Sequence, residues 1–402
     1  MTDAATMFPP LRLKRNEERR LQAGHVWVFS NEVNVAVTPL KEFEPGEIVQ
    51  IQAHNGKSLG TGYVNPMSLI CARLVSRDTA HPVSPSLLVH RLKVALGLRE
   101  RLFERPFYRL VYGEGDGLPG LVIDRFGDIC IVQITTAGME RFKSEIVAAL
   151  TKVVAPTGVL WRNDSAIRAL EGLDCYVEDA AGTVPDQVVL EEGGTTFNVP
   201  LRAGQKTGWF FDHRINRSRL PAYTRNLRVL DVFSYLGAWG LQAAVHGARE
   251  VVSVDSSSAA LGRVSENASL NAVSDRVTTI QGDAFTTLRQ LRESRERFDL
   301  VILDPPALIK RRKDYKQGCQ AYRRLNEMAM QVLAREGFLV SCSCSHLLSV
   351  DELGRAILGA SRHLDRFVQV LEYGRQAPDH PVHPAIPETE YLKALFARVL
   401  PA

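Results

Sequence analysis

From residue 187 onward the chain alternates short apolar runs with amphipathic stretches. "RVLDVF", "EVVSVD", "RVTTIQGD", "DLVILDPP" and "GFLVSCSCS" are dense in β-branched and aliphatic residues and read as strands. Between them, "WGLQAAVHG", "SAALGRVSENASLNA" and "AFTTLRQLRESRER" carry apolar positions at helical spacing. Apolar strands alternating with helices predict a parallel, doubly wound sheet covered on both faces, with ligands at the carboxyl ends of its strands. "VVLEEGGTTFNVPL" leads into this region as an antiparallel entry.

The pattern upstream is different. To about residue 78, "HVWVFSNEV", "EPGEIVQIQAHNGKSLGTGYVN" and "LICARLVS" read as short strands, with a hairpin turn at Asn55-Gly56. They predict a small β-barrel or sandwich, with a helix over "NEERRLQAG" closed by Gly24. "SPSLLVHRLKVALGLRERLF" has helical periodicity, with Ser84 or Ser86 as N-cap. The strands "YRLVYGEGDG", "LPGLVIDRFGD" and "ICIVQITT", a helix "GMERFKSEIVAALTKVV" and the strand "GVLWRND" follow. The expected organisation is therefore 1–78, a β module; 79–186, an α+β domain; and 187–402, the doubly wound domain.

Composition adds limits. The chain has 402 residues, 45% hydrophobic and 23% charged, which is enough for several domains with real cores. It contains no apolar run of the roughly 18 residues that cross a bilayer. "MTDAATMFPPLRLKRNEERR" lacks an apolar signal core. Six scattered cysteines do not make a disulfide framework, so a reducing cytoplasm is expected. The net charge of +4 says little, but its clustering says more. Arg12, Lys14, Arg15, Arg19 and Arg20 crowd the N-terminus, and Lys310, Arg311, Arg312, Lys313 and Lys316 crowd a later loop.

"VLDVFSYLGAWGLQAAVHGA" places a strand before a turn containing Gly237 and Gly240, and the turn opens a helix. A helix N-terminus offers unpaired N–H groups to a ligand. The turn is not G-x-G-x-x-G, which disfavours a dinucleotide. Asp255 ends the second strand, where it can accept ribose hydroxyls. Asp283 ends the third, and Asp304, in "VILDPPA", the fourth. Three acids at successive strand ends without a phosphate cradle point to S-adenosylmethionine.

"DPP" followed by "SCSCS" suggests methyl transfer to a base. Carbon 5 of cytosine is too poor a nucleophile to attack a sulfonium directly. A thiolate adding at carbon 6 makes it enamine-like, and an acid near N3 stabilises the adduct. Cys342 and Cys344 face one side of a strand, but Cys344 lies nearer the carboxyl end and is the better nucleophile, with Asp304 as the acid. No metal is expected, because C-x-C with His346 has no matching pair at zinc-like spacing. Ala307 follows the two prolines where amino-methylating enzymes often carry an aromatic residue.

With these segments in view, the sequence resembles the bacterial 23S ribosomal RNA cytosine-5 methyltransferases of the RlmI type over nearly its whole length. The likeness runs through "HVWVFSNEV", "GEGDGLPGLVIDRFGD", "GQKTGWFFDHR", "VLDVFSYLGAWG", "VVSVD", "DPPALIK", "SCSCS" and "RQAPDHPV". It implies a multi-domain α/β protein: a PUA-like β-barrel that binds RNA, a central α+β domain and a C-terminal Rossmann-like methyltransferase. It also implies Cys344 as nucleophile and Asp304 as catalytic acid. Implied cofactor residues are Lys206, Thr207, Phe210, Asp212, Arg214, Asp231, Phe233, Gly237, Asp255, Asp283 and Asp304. Related RNA cytosine enzymes of another branch have a cysteine directly after the two prolines, which aids product release, and Ala307 cannot replace it.

The implied partner is ribosomal RNA, free or in an assembly particle, with Arg12, Lys14, Arg15, Lys310, Arg311, Arg312 and Lys313 as phosphate contacts. A membrane is not, and a homodimer is compatible with the sequence. Two other functions fit the same residues: guanine N2 methylation without a covalent adduct, and a non-catalytic RNA-binding assembly factor.

Overall fold

The computed structural model describes residues 8–402. They form two compact units. The first takes the chain up to Asp186 with Pro200–Trp209 and Pro378–Thr389; the second takes Gln187–Val199, Phe210–Ala377 and Glu390–Ala402.

In the first unit, one five-stranded sheet has the order Pro10–Arg12, Glu47–Gln52, Ser58–Val64, Ala72–Ser76, Trp27–Val28. Leu11, Val28, Val49, Ile51, Val64 and Leu74 fill its core. Its hairpin turns at Asn55-Gly56, where Gly56 has φ 87°. The expected helix near the N-terminus is limited to Glu18–Gln22. A second five-stranded sheet has the order Tyr176–Gly182, Gly158–Asn163, Ile129–Ile134, Leu121–Phe126, Phe107–Tyr112. Leu88 and Leu92 from the helix Pro85–Leu102 and Ile146 and Leu150 from the helix Lys143–Val153 share its core. Ser84 caps the former, its hydroxyl accepting from Leu87 N at 3.3 Å.

The stretch expected as one helix from Gly138 is two, Ala137–Glu140 and Lys143–Val153. Phe142, between them, leaves helical geometry at φ −101°, ψ 19° and buries its ring. A side chain on Gly138 would meet the Tyr63 ring at 2.0 Å. Tertiary packing therefore breaks a continuous helical pattern.

The second unit is built on seven strands: β1 (Arg228–Val232), β2 (Glu250–Asp255), β3 (Val277–Gln281), β4 (Phe298–Leu303), β5 (Leu333–Ser343), β6 (Arg366–Arg375) and β7 (Lys393–Pro401). Their order is β3-β2-β1-β4-β5-β7-β6. The first five are parallel, and β7 pairs antiparallel with β5 and β6. The helices α1 (Ala238–Val245), α2 (Ser258–Leu270), α3 (Ala284–Glu293), α4 (Tyr315–Val332) and α5 (Val350–His363) connect them.

Alternate residues along each strand serve opposite faces. Leu230, Val232, Val252, Val254, Val301 and Leu339 pack with Leu288, Tyr322, Leu325 and Ile357 of α3, α4 and α5. On the other face Gly240 of α1 sits against Val251 and Ser253, and Gly237 against Val264 of α2. The sheet is doubly wound, as the alternating pattern predicts. The β6–β7 hairpin was not legible in that pattern, because 17 residues without an α-helix separate its strands.

Val232, Val254, Leu303 and Ser341 share one row of the sheet. Phe233, Asp255, Asp304 and Cys342 therefore follow in the next, at the carboxyl edge.

Candidate active site

The chain leaves β1 through a turn with positive φ at Phe233 (69°), Tyr235 (49°) and Gly237 (81°). Non-glycine residues in this region carry strain, which the surroundings must hold. Here the Phe233 and Ser234 amides donate to Val254 O at 2.9 and 3.1 Å. Tyr235 N donates to Asp255 Oδ2 at 3.0 Å, and Gly240 N to Asp231 Oδ2 at 2.9 Å. Asp231 is fully buried and fixes the turn from beneath. Burial, reinforced by Asp304 and Asp255, pushes its pKa up to about 7 against the opposing hydrogen bond from Gly240.

These residues fit S-adenosylmethionine. Asp255 is partly exposed at the end of β2 and takes one backbone N–H on each oxygen, Tyr235 N and Ser257 N. Each carboxylate oxygen has a second lone pair, available to a ribose hydroxyl. Asp283 is exposed and caps α3 through Oδ1, which accepts from Thr286 N at 3.1 Å. The buried hydroxyl of Ser234 and Oδ1 of Asp231 have no partner among the described residues, so the turn keeps free hydrogen-bonding capacity. Phe233 is partly exposed beside it.

The predicted "GQKTGWFFDHR" residues divide. Lys206 and Thr207 belong to the first unit, where Lys206 is exposed with φ 49° and the Thr207 hydroxyl donates to Asp124 Oδ2. Phe210, Asp212 and Arg214 belong to the second. The Phe210 ring meets Tyr235 of the turn edge-on at 5.5 Å. Asp212 is buried and accepts from the Tyr391 hydroxyl. Arg214 lies over the Phe211 ring at 5.2 Å and 3.5 Å from Glu192.

Asp304 is the centre of the catalytic end. Trp239 Nε1 donates to its Oδ2 at 3.0 Å, and His213 Nε2 lies 3.1 Å from its Oδ1. Burial would raise the carboxyl's pKa, but the His213 imidazole and the hydrogen bonds from His213 and Trp239 bring it below the usual carboxylate range. His213 is itself buried, with its ring edge-on to Trp239 at 5.3 Å and Nδ1 3.1 Å from Asn216 Nδ2. Since an amide NH₂ only donates, Nδ1 accepts and Nε2 carries the hydrogen given to Asp304. Sequence reasoning missed His213 and Trp239. Both stood inside quoted motifs, but only folding brings them to the DPP loop.

The two cysteines separate clearly. Cys342 is fully buried, and burial, then Asp304 and Cys344, raise its thiol well above the ordinary value. Cys344 lies just beyond β5, partly exposed, with Sγ 3.9 Å from Pro305 O. That contact puts the thiol on the DPP loop, at the residue after Asp304, while the Cys342 sulfur lies within 4.8 Å of the Asp304 carboxylate and the His213 ring. A hydroxyl network braces the loop. Ser343 Oγ donates to the Tyr322 hydroxyl at 2.9 Å, which lies 3.0 Å from Ser345 Oγ, and Ser345 Oγ accepts from Ile309 N at 3.1 Å.

Lys310, Arg311, Arg312 and Lys313 are all exposed on the loop after DPP. In the first unit Arg12 is engaged with Gln52 and His54 O, Lys14 reaches Asn31 O at 2.7 Å, and Arg15 is exposed.

A doubly wound sheet with this turn and these strand-end acids defines the class, an S-adenosylmethionine-dependent methyltransferase. Residues 161–398 match the family of that description, residues 11–77 match the PUA-like domain, and the chain belongs to the ribosomal RNA large subunit methyltransferase I family of such enzymes. It is 36% identical over 399 residues to the protein of that name in Salmonella arizonae, covering 98% of each chain. With the Klebsiella pneumoniae protein of the same name it shares 35% over 405 residues, covering 100% of each.

Among solved structures, a Streptococcus mutans protein described as a SAM-dependent methyltransferase superposes with TM-score 0.81 at 20% identity, over 97% of this chain and 100% of that one. SMU.776 complexed with SAH gives TM-score 0.83 at 21%, with the same coverage. At such identities the likeness is one of fold. No helix among the described residues is long and apolar enough to cross a membrane.

Proposed function

We propose that this enzyme methylates carbon 5 of a cytosine in 23S ribosomal RNA, in the cytoplasm, with Cys344 as the covalent nucleophile and Asp304 as proton carrier. One observation carries the reading: the partly exposed Cys344 thiol contacts Pro305 O of the DPP loop, while Cys342, though near Asp304, is sealed in the core. The names of the full-length relatives support a large-subunit RNA substrate.

Bound S-adenosylmethionine supplies the methyl group as an electrophilic sulfonium, with Asp255 and Asp283 as candidate anchors for its nucleoside. Cys344 loses its thiol proton and forms the Sγ–C6 bond. The ring's π electrons move toward N3, which gains a proton. One proton lost and one gained leave the site's charge unchanged. Asp304, kept ionised by His213 and Trp239, takes up a proton only transiently and so suits relay rather than storage. After transfer, the C5 proton leaves to solvent and its bonding pair forms the C5–C6 double bond, the Sγ–C6 bond breaks with its pair on sulfur, and the N3 proton returns to that thiolate. The target base must be unstacked for Sγ to reach carbon 6. Residues 1–78 and the loop 310–313 would hold RNA phosphates, and 187–402 would carry the chemistry.

Product analysis tests this. Unmodified ribosomal RNA, S-adenosylmethionine and enzyme are incubated, then digested to nucleosides. We expect 5-methylcytidine from the wild type and Cys342→Ala, and none from Cys344→Ala. Methylguanosine, or full activity in Cys344→Ala, would overturn the mechanism. Ala307 after the prolines offers no aromatic face to an exocyclic-amine target.

A further inference from the structure

Lys393, the first residue of β7, is a buried lysine that the mechanism above does not use. Its backbone pairs with Ser343 across the sheet. Its Nζ reaches past that pair and donates to Ser345 O at 2.6 Å and to Tyr391 O at 2.8 Å. Cys344 is the residue between Ser343 and Ser345, so the ammonium is tied to the peptide that immediately follows the nucleophile. An ammonium has three hydrogens, and the two carbonyls take two of them.

We infer that Lys393 is a positioning residue for methyl transfer: its ammonium, anchored on the Ser345 carbonyl, stands against the Cys344 thiol and holds it as the thiolate. Deprotonation then sends the thiol proton to solvent, the lysine keeps its own, and the Sγ electron pair is ready to bond to carbon 6. The inference rests on Cys344 being the nucleophile.

Burial lowers Lys393 to about 8, against the opposing influence of Cys344, then Glu390 and Glu352. It is thus mostly charged at neutral pH. Of the other groups near the thiol, only the Asp304 carboxylate, one residue before the Pro305 carbonyl that the thiol touches, opposes the thiolate by its charge. Tyr322 of α4 is raised by burial, Cys342 is sealed beneath, and His346 is exposed. A cation beside a thiol is the usual cause of a depressed cysteine pKa.

The test is the pH profile of iodoacetamide alkylation of the full-length protein, read site by site by peptide mass spectrometry. In the wild type, Cys344 should titrate below the ordinary thiol value of about 8.5. Lys393→Met should move that midpoint up by at least about one unit, tenfold less thiolate at neutral pH, while exposed Cys175 stays fixed. Lys393→Arg should restore most of the shift. An unchanged midpoint in Lys393→Met would overturn the inference. Should that variant fail to fold, a wild-type midpoint at or above the ordinary thiol value overturns it alone. A Cys344→Ala variant that still methylates RNA would remove the nucleophile reading, yet leave the alkylation result standing.

Discussion

His213 Nε2 and Asp304 Oδ1 are 3.1 Å apart, and Trp239 Nε1 donates to the other carboxylate oxygen. A buried imidazole with its Nδ1 committed to Asn216 can only donate through Nε2. The pair thus fixes both the direction and the ionisation of the Asp304 carboxylate.

Replacing His213 by Asn should therefore lower kcat by about 10²-fold or more, the usual scale for losing a proton-transfer partner. KM for RNA should change little. The sign of the pH effect follows from the two opposing influences on Asp304. Without the imidazole, burial dominates, so the carboxyl protonates at higher pH and the acid limb of the kcat profile moves up. In the wild type the pair's stabilisation is present above pH about 4 and is lost as pH falls through the depressed carboxyl pKa. A kcat profile unshifted in His213→Asn would remove His213 from the mechanism.

Asp231 has the opposite sign. Its folded pKa near 7 exceeds the unfolded value of about 3.9, so the native state binds more protons between them and stability falls as pH rises through that window. Asp231→Asn removes the dependence. Denaturation at pH 5 and pH 8 should show the variant gaining on the wild type, by up to about 4 kcal/mol over the whole window. Parallel curves would show that the carboxyl ionises freely in the folded protein.

How far the sequence reached can be read at these residues. The five parallel strands, the turn at Gly237 and the acids Asp255, Asp283 and Asp304 were legible because each lies in a local pattern of strand followed by turn. That Cys344 is the more exposed of the two cysteines was legible from position along one strand. His213, Trp239 and Lys393 were not. His213 sits in a short irregular segment, and Lys393 comes from a strand of the antiparallel hairpin, whose ends are separated from their partners by long stretches of chain. No periodicity announces such encounters. The break at Phe142 was hidden for the same reason, since Tyr63, which presses on Gly138, lies 75 residues upstream.

A second buried ion pair carries a stability prediction. Arg217 donates to both oxygens of Glu192, at 2.5 Å and 2.9 Å, and Gln242 Nε2 adds a third bond at 2.9 Å. Both side chains are almost fully buried. Arg217→Met strands a buried carboxylate and should cost about 3–5 kcal/mol in urea denaturation. Adding Glu192→Leu should recover much of that loss, because an apolar pair replaces an orphaned charge. A double variant no better than the single one would mean that Glu192 stays well supported by Gln242 and Arg214.

The two basic clusters should differ in how they hold RNA. Lys310, Arg311, Arg312 and Lys313 are exposed on one loop, where Arg311 pairs with Asp314 at 3.1 Å, open to solvent. Such a pair exchanges readily for a phosphate. In the other cluster, Arg12 already spends its guanidinium on Gln52 and His54 O. Each phosphate contact on single-stranded RNA contributes about 0.7 to the log–log slope of affinity against salt. Replacing the four loop residues by Ala should thus flatten the slope by up to about 3. Replacing Arg12, Lys14 and Arg15 should flatten it less, with Lys14 and Arg15 accounting for the change. Filter binding across a salt series measures both. Equal slopes in wild type and loop variant would dismiss the loop as a phosphate-binding surface, whatever the effect of the substitutions on activity.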